Sequence, residues 1–305
     1  MTKKRKLAYA ALLLNAIIWG AALPIVKPSL EFVTPSEFLF FRYLVASILG
    51  LPILIILLWR NRLTFKTFLT IAGFETMILG LGHFMLYQGL SRTSSLEAAL
   101  IASTSPILVI LGGIWFLKEK QEKHEWQGLA LALFGTLIIV IEPLVRNGNG
   151  ANFTSLVGNL FVVGYNLIWT VYLLSAKKIY KGVSKILIGF LGPWFAMLFH
   201  LLVVGFNNPM IIASGQLLDP LAIPSVLMAM LFMAIFGSVL AVPLIMYGNE
   251  KIESSEATLF TYLQPLVYIP LSVLWLKESF SPLIFVALPI IALGVYMAER
   301  RPRVR

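Results

Sequence analysis

Two charged side chains and an imidazole stand in stretches that offer them almost no polar company. Arg42 lies in FLFFRYLVAS, Glu75 in IAGFETMILG and His83 in LGHFMLYQGL. An ionised group deep in such an apolar run costs roughly 2.5–3.5 kcal/mol even on the lenient insertion scale, so each needs a partner or a task. The guanidinium of Arg42 is a planar fork suited to holding a carboxylate. It can equally pair with Glu37 or Glu97, or run its stem toward the interface. It sits seven residues into its run, about 9 Å deep at 1.5 Å per residue. Glu75 and His83 are two helical turns apart on roughly one face, with Tyr87 a turn further. An acid and an imidazole in such a column can bind or pass a proton. The alternative is a neutral pair satisfied by neighbouring helices. His200 stands alone and reads as packing.

A second set is polar but uncharged: Asn15, Trp19, Tyr87, Asn159, Asn166, Trp169, Tyr172, Tyr262 and Tyr268. Asn15 and Trp19 are four residues apart, and Asn159 and Asn166 seven, so each pair shares a helical face. Thr258, Thr261, Pro265, Tyr268 and Ser272 fall on one stripe, matched earlier by Ala99, Ala102, Pro106, Val109 and Gly113. Hydroxyls and amides so placed either line a cavity for a polar solute or bond one helix to the next. Pro106 and Pro265 each remove a backbone donor in mid-run. Ser103, Thr104, Ser105 and Thr261 can serve the carbonyls so released.

The elements that position these residues follow from composition. Of 305 residues, 59% are apolar and 12% charged, against about 45–50% and about 25% in an ordinary globular chain. The lipid bilayer must therefore supply part of the solvent. There is no cysteine, which excludes structural disulfides and thiolate sites. Ten apolar runs of spanning length stand at 7–26, 36–58, 67–89, 96–117, 125–143, 155–175, 186–206, 224–248, 255–276 and 282–298. The net charge of +10 is spread over short clusters between these runs and does not form a nucleic-acid surface. With the amino terminus inside, 19 Lys and Arg fall on the inner segments and 4 on the outer ones. That asymmetry predicts both termini in the cytoplasm.

The chain also writes one sentence twice. Residues 97–119 read EAALIASTSPILVILGGIWFLKE and residues 256–278 read EATLFTYLQPLVYIPLSVLWLKE, with the prolines 159 apart (265 − 106). A smaller echo pairs Trp19 and Lys27 with Trp169 and Lys177. The first long copy belongs to the fourth run and the second to the ninth. Five is odd, so the second half enters the membrane with opposite polarity. The expectation is an all-α integral membrane protein. Its ten transmembrane helices form two inverted five-helix repeats around a central cavity, residues 1–149 and 150–305. Such repeats can exchange conformations and so open a midplane site to either side in turn.

With IIWGAALPIVK in the first run, Arg42 in the second, and the twin E-A-x-L-x(5)-P-x(10)-L-K-E segments, the sequence resembles the EamA family of the drug/metabolite transporter superfamily. The resemblance covers nearly the whole chain. It implies a ten-helix secondary transporter of a prokaryotic plasma membrane, moving amino acids or related small metabolites, often outward. Tyr262 and Gln264 depart from the small polar residues of the first copy, which argues against a two-fold symmetric site.

On this reading the solute contacts are Asn15, Trp19, Arg42, Tyr87, Asn159, Asn166, Trp169, Thr258, Thr261, Tyr262 and Tyr268, with Glu75 and His83 as proton candidates. Glu119 and Glu278, each after a lysine at a run's end, serve conformational packing. No phosphate loop or clustered metal-ligand spacing is present, so no cofactor or metal is expected, and no catalysis. The partners are a small-molecule solute and the bilayer. Oligomeric state is left open, a monomer being sufficient. The competing readings are a nucleotide-sugar, drug or lipid-linked cargo on the same fold, an intramembrane enzyme, and a channel.

Overall fold

The computed structural model describes residues 3–61, 63–117, 123–145, 153–251, 260, 263–279 and 281–299. Among them every regular element is helical. Eight segments are long and apolar enough to cross a membrane: Arg5–Glu31, Pro35–Arg60, Phe65–Arg92, Ser95–Gly113, Trp126–Val145, Phe153–Ala176, Lys185–Asn207 and Pro224–Gly248. Two shorter apolar helices follow, Pro265–Trp275 and Pro282–Met297. Each of the ten runs read from sequence meets one of these in order. The ninth and tenth are below spanning length among the described residues, and the start of the ninth run lies outside them. Large apolar side chains face outward, Trp59 at 91% and Phe206 at 92% exposure. Lipid tails accept such a surface and water does not. The chain is a multi-span membrane protein.

The helices are α1 (Lys3–Val26), α2 (Pro35–Arg60), α3 (Phe65–Glu75), α4 (His83–Arg92), α5 (Ser95–Ala102), α6 (Ser105–Leu117) and α7 (Lys123–Val145). They continue as α8 (Phe153–Ile179), α9 (Lys185–Asn207), α10 (Pro209–Ala213), α11 (Pro224–Phe232), α12 (Ala241–Lys251), α13 (Pro265–Pro270) and α14 (Pro282–Glu299). Helix α2 starts on a capping box. The Thr34 hydroxyl accepts from the Glu37 N–H at 3.3 Å, and Glu37 Oε2 accepts from the Thr34 N–H at 2.8 Å. The Glu37 carboxylate is thereby committed to a helix end.

Four spans are not regular. Wide π-helical turns, Thr76–Gly82, Met233–Leu240 and Leu271–Trp275, join α3 to α4, join α11 to α12, and follow α13. The fourth span breaks between α5 and α6 at Ser103–Thr104, just before Pro106. Ser103 Oγ donates to the Leu100 carbonyl at 2.7 Å and Thr104 Oγ1 to that of Ile101 at 2.6 Å. A turn at Leu263–Gln264 stands directly before Pro265.

Packing joins early spans to late ones: α1 with α12, α2 with α9, α4 with α8, and α7 with α14. Small residues set how closely these helices approach, because in lipid the attraction between them comes from contact. At the crossing of α4 and α8, a Cβ added to Gly89 would lie 2.6 Å from Val162 Cγ2 and 2.7 Å from the Gly158 carbonyl. The largest buried apolar cluster includes Phe38, Leu39, Tyr43, Tyr87, Leu90 and Ile101, and it surrounds the Arg42 site.

Candidate functional site

Arg42 is buried, at 5% exposure, where α2, the third span and the eighth span meet. Its Nη1 donates to the Tyr87 hydroxyl at 2.9 Å and its Nε to Ser238 Oγ at 3.2 Å. The guanidinium lies 5.0 Å from the centre of the Tyr43 ring and 6.0 Å from that of Tyr87. Ring faces stabilise a cation by their quadrupoles. Among the described residues no carboxylate bonds to it. Glu37 caps α2, and Glu97 accepts from Thr93 Oγ1 at 2.7 Å and Asn159 Nδ2 at 3.0 Å. Of the alternatives open for Arg42, pairing with either glutamate is therefore not what the structure makes. Both acids serve helix ends and interhelical bonds instead.

Beside the arginine stands an aromatic and imidazole cluster. The Tyr43 hydroxyl bonds His83 Nδ1, and the Tyr43 ring lies nearly parallel to those of His83 and His200, with both centroids 6.0 Å away. From His83 the rings continue through Tyr165 (6.1 Å), Trp169 (6.4 Å) and Tyr172 (5.8 Å) to Tyr180 (6.2 Å). Tyr165, Trp169 and Tyr172 follow one face of α8 at steps of four and three. The ladder ends on an acid. Glu75 Oε1 accepts from the Tyr180 hydroxyl at 2.7 Å and from that of Tyr172 at 3.0 Å. Glu75 is 3% exposed, and its carboxylate packs against Gly192 of α9, where a Cβ would fall 2.5 Å from Oε2. The π-turn Thr76–Gly82 lies between Glu75 and His83 and alters their expected shared face. The two groups sit at opposite ends of the ladder.

The amides have backbone partners. Asn15 Nδ2 donates to the Ala241 carbonyl at 2.8 Å, and Trp19 Nε1 to that of Gly237 at 3.4 Å. Gly237 lies in the second π-turn, whose altered winding displaces carbonyls from the α-helical ladder, and Ala241 directly after it. Asn166 Nδ2 donates to the Ile101 carbonyl at 2.7 Å and so supports the break in the fourth span. Asn159 Nδ2 reaches Glu97 and, at 3.3 Å each, the Ile139 and Val140 carbonyls. Tyr268 is buried on α13 at 2% exposure. Thr258, Thr261 and Tyr262 lie outside the described residues. The structure thus gathers Arg42, Tyr87 and His83 directly and reaches Trp169 and Glu75 through the ladder. Asn15, Trp19, Asn159 and Asn166 hold backbone around it.

A model of the EamA-like transporter family matches this chain twice, over residues 6–141 and 156–299. The chain belongs to the EamA-like transporter family. Its relatives include an uncharacterized transporter, YetK, of Bacillus subtilis, 25% identical over 97% of this chain and 88% of that one. Another is the uncharacterized inner membrane transporter YedA of Escherichia coli, 25% identical over 95% and 89%. A solved crystal structure shares the fold, with a TM-score of 0.60 and 19% identity over 95% of this chain and 96% of that one. Membership makes this a membrane transporter by family and points away from an enzyme.

In this family member four site residues escaped the sequence reading: Tyr43, Tyr165, Tyr180 and Ser238. Tyr165 carried a signal, the i, i+4, i+7 stripe it forms with Trp169 and Tyr172. Tyr43 is next to Arg42 but stands among other bulky apolar residues of FLFFRYLVAS. Tyr180 follows two lysines at a helix end and looks interfacial, and Ser238 is one hydroxyl in an apolar span. An open cleft of about 650 Å³ lies at the bundle end that carries Glu31–Glu37, Gln88, Arg92 and Asn208. Neither Arg42 nor Glu75 lines it.

Proposed function

We propose that this EamA-like protein is a secondary transporter that moves amino acids or related small carboxylates across a prokaryotic plasma membrane by alternating access. Arg42 is the carboxylate anchor. The observation that carries the reading is a buried guanidinium held by the Tyr87 phenol, the Ser238 hydroxyl and the Tyr43 ring, with no carboxylate bonded to it among the described residues. A permanent counter-ion would quench it, whereas neutral partners hold the fork in place and leave its charge for an arriving anion. The two hydrogen bonds come from the third and eighth spans, so a solute here would touch both halves.

The pairing of spans supports two inverted five-span repeats. The first packs on the eighth and the third on the sixth, contacts that a two-fold operation exchanges. The second packs on the seventh and the fifth on the tenth, contacts that it maps onto themselves. The double family match and the π-turns at Thr76–Gly82 and Met233–Leu240 agree with that symmetry. Glu75 is the proposed proton site, because its two phenol donors can follow a change in its charge without solvent. Counterflow in proteoliposomes, screened over the amino acids and small carboxylates, tests the function. Saturable exchange that Arg42→Ala lowers about 100-fold is expected. Flux that neither saturates nor supports counterflow would make the protein a channel.

A further inference from the structure

The motif residues that the sequence repeats grip a single turn. Between α4 and α5 the chain reverses at Thr93–Ser94, leaving carbonyls at the end of one helix and N–H groups at the start of the next without intrahelical partners. Lys27, beyond α1, donates to the Leu90 and Thr93 carbonyls, both at 2.7 Å. Glu278, beyond the ninth span, accepts from the N–H groups of Ser95 at 2.6 Å and Leu96 at 2.8 Å, and from the Ser95 hydroxyl at 3.0 Å. Each charge has the sign that the local helix dipole favours. The glutamate is itself held: its N–H donates to the Ser272 carbonyl at 3.0 Å, and Ser272 Oγ meets Ser95 Oγ at 2.7 Å. The π-turn Leu271–Trp275 and the left-handed Lys277 (φ 55°) bring the chain back onto α5 in this way. Lys27 also lies within electrostatic reach of Glu278, Glu31 and Glu97.

We infer that this clasp is one of two alternating end gates, the Glu278 carboxylate closing the bundle on its own side by capping α5. The inference rests on the alternating-access reading above. A helix start capped from the other half of the chain is a closable seam, since parting the halves exposes the N–H groups and the carboxylate to water together. The repeat supplies the counterpart. Glu119 stands 159 residues before Glu278, and Lys177 echoes Lys27. Glu119 lies outside the described residues, and the correspondence in sequence assigns it the matching cap on the opposite side.

The chain has no cysteine, so single-cysteine variants report access directly. Ala99→Cys, one turn into α5 and 6% exposed, lies behind the clasp. Ser214→Cys, exposed after α10, marks the membrane side to which the reagent must be added. With a membrane-impermeant thiol reagent on that side, Glu278→Gln should speed labelling of Ala99→Cys about tenfold, from loss of charge-assisted bonds. The Ser214→Cys rate should not change, and Glu119→Gln should slow Ala99→Cys. An Ala99→Cys rate unmoved by Glu278→Gln in protein of normal thermal stability overturns the gate. If Glu278→Gln does not reach the membrane, Ser272→Ala carries the test, with a rise of about twofold expected and no rise overturning the gate. Counterflow separates the claims. Faster labelling without exchange in the parent protein leaves the gate and removes the transporter; exchange with unmoved labelling does the reverse.

Discussion

The third and eighth spans share a backbone device and differ in what it carries. Each breaks its α-helix with a π-turn, Thr76–Gly82 in one and Met233–Leu240 in the other, and each has carbonyls there that accept from distant side chains. His200 Nε2 donates to Leu79 in the third span at 3.2 Å, while Asn15 and Trp19 donate to Ala241 and Gly237 in and after the eighth span's turn. The third span brackets its π-turn with Glu75 and His83 and adds Tyr87. The eighth, from Pro224 to Gly248, holds no acid, imidazole or cation and gives the site only Ser238. A repeated scaffold can thus keep its bend in both copies while one copy takes the chemistry and the other supplies polar support.

The sharpest way to break that contrast is at Arg42, which the two spans hold between them. Arg42→Ala should lower solute exchange ~100-fold, the scale of one charge-assisted contact to a bound carboxylate. Ser238→Ala, which removes the eighth span's only hydrogen bond to Arg42, should cost far less. Equal losses from the two would show that support and chemistry are not divided as described. Glu75→Gln comes next. It keeps the Tyr172 and Tyr180 contacts in shape and removes the titrating group, so uptake should lose its pH dependence and fall about tenfold, the scale of weakening one hydrogen bond to a charged group. Uptake with an unchanged pH profile would remove Glu75 from coupling.

The π-turns themselves can be compared through one glycine each. A Cβ on Gly80 would meet Phe199 at Cγ, 2.9 Å away, and at Cβ, 3.3 Å away, the base of the side chain, which shifts little without its backbone. On Gly237 it would meet the thioether end of Met233, also at 2.9 Å, which can swing aside. Gly80→Ala should therefore destabilise by about 1–3 kcal/mol and Gly237→Ala by less than about 1 kcal/mol. Thermal unfolding in detergent reads both. The reverse order would mean that the third span tolerates distortion better than the span without titratable groups.

Much of this is legible in the sequence. The ten runs follow from hydropathy, and Pro106 with its Ser and Thr neighbours announced the break in the fourth span. Arg42, Glu75, His83 and Tyr87 were conspicuous because charge and apolar surroundings conflict. Their company was not legible. A π-turn adds a residue to a helical turn without any mark in TMILGLG, so a 3.6-residue period put Glu75 and His83 on one face when they end up at opposite ends of an aromatic ladder. Partners more than a hundred residues away, such as Ser238 for Arg42 or Tyr180 for Glu75, have no local pattern. The amides are ambiguous for the opposite reason. Asn15, Asn159 and Asn166 looked like solute contacts because nothing in the sequence shows which backbone carbonyls a π-turn or a proline will leave open.

That last point yields the smallest predicted effect. If Asn15 belongs to the scaffold of the eighth span, Asn15→Ala should act on stability and leave exchange affinity nearly unchanged. The 2.8 Å bond to Ala241 is buried. Its loss strands a carbonyl at ~1 kcal/mol, near the upper part of what interhelical hydrogen bonds contribute in membranes. Trp19→Phe removes the longer 3.4 Å bond to Gly237 while keeping most of the ring's packing, so its cost should be smaller still. A large change in the solute concentration for half-maximal exchange, with unfolding temperature unmoved, would place Asn15 in the solute pocket. The eighth span's support would then be chemistry as well, and its division of labour with the third would disappear.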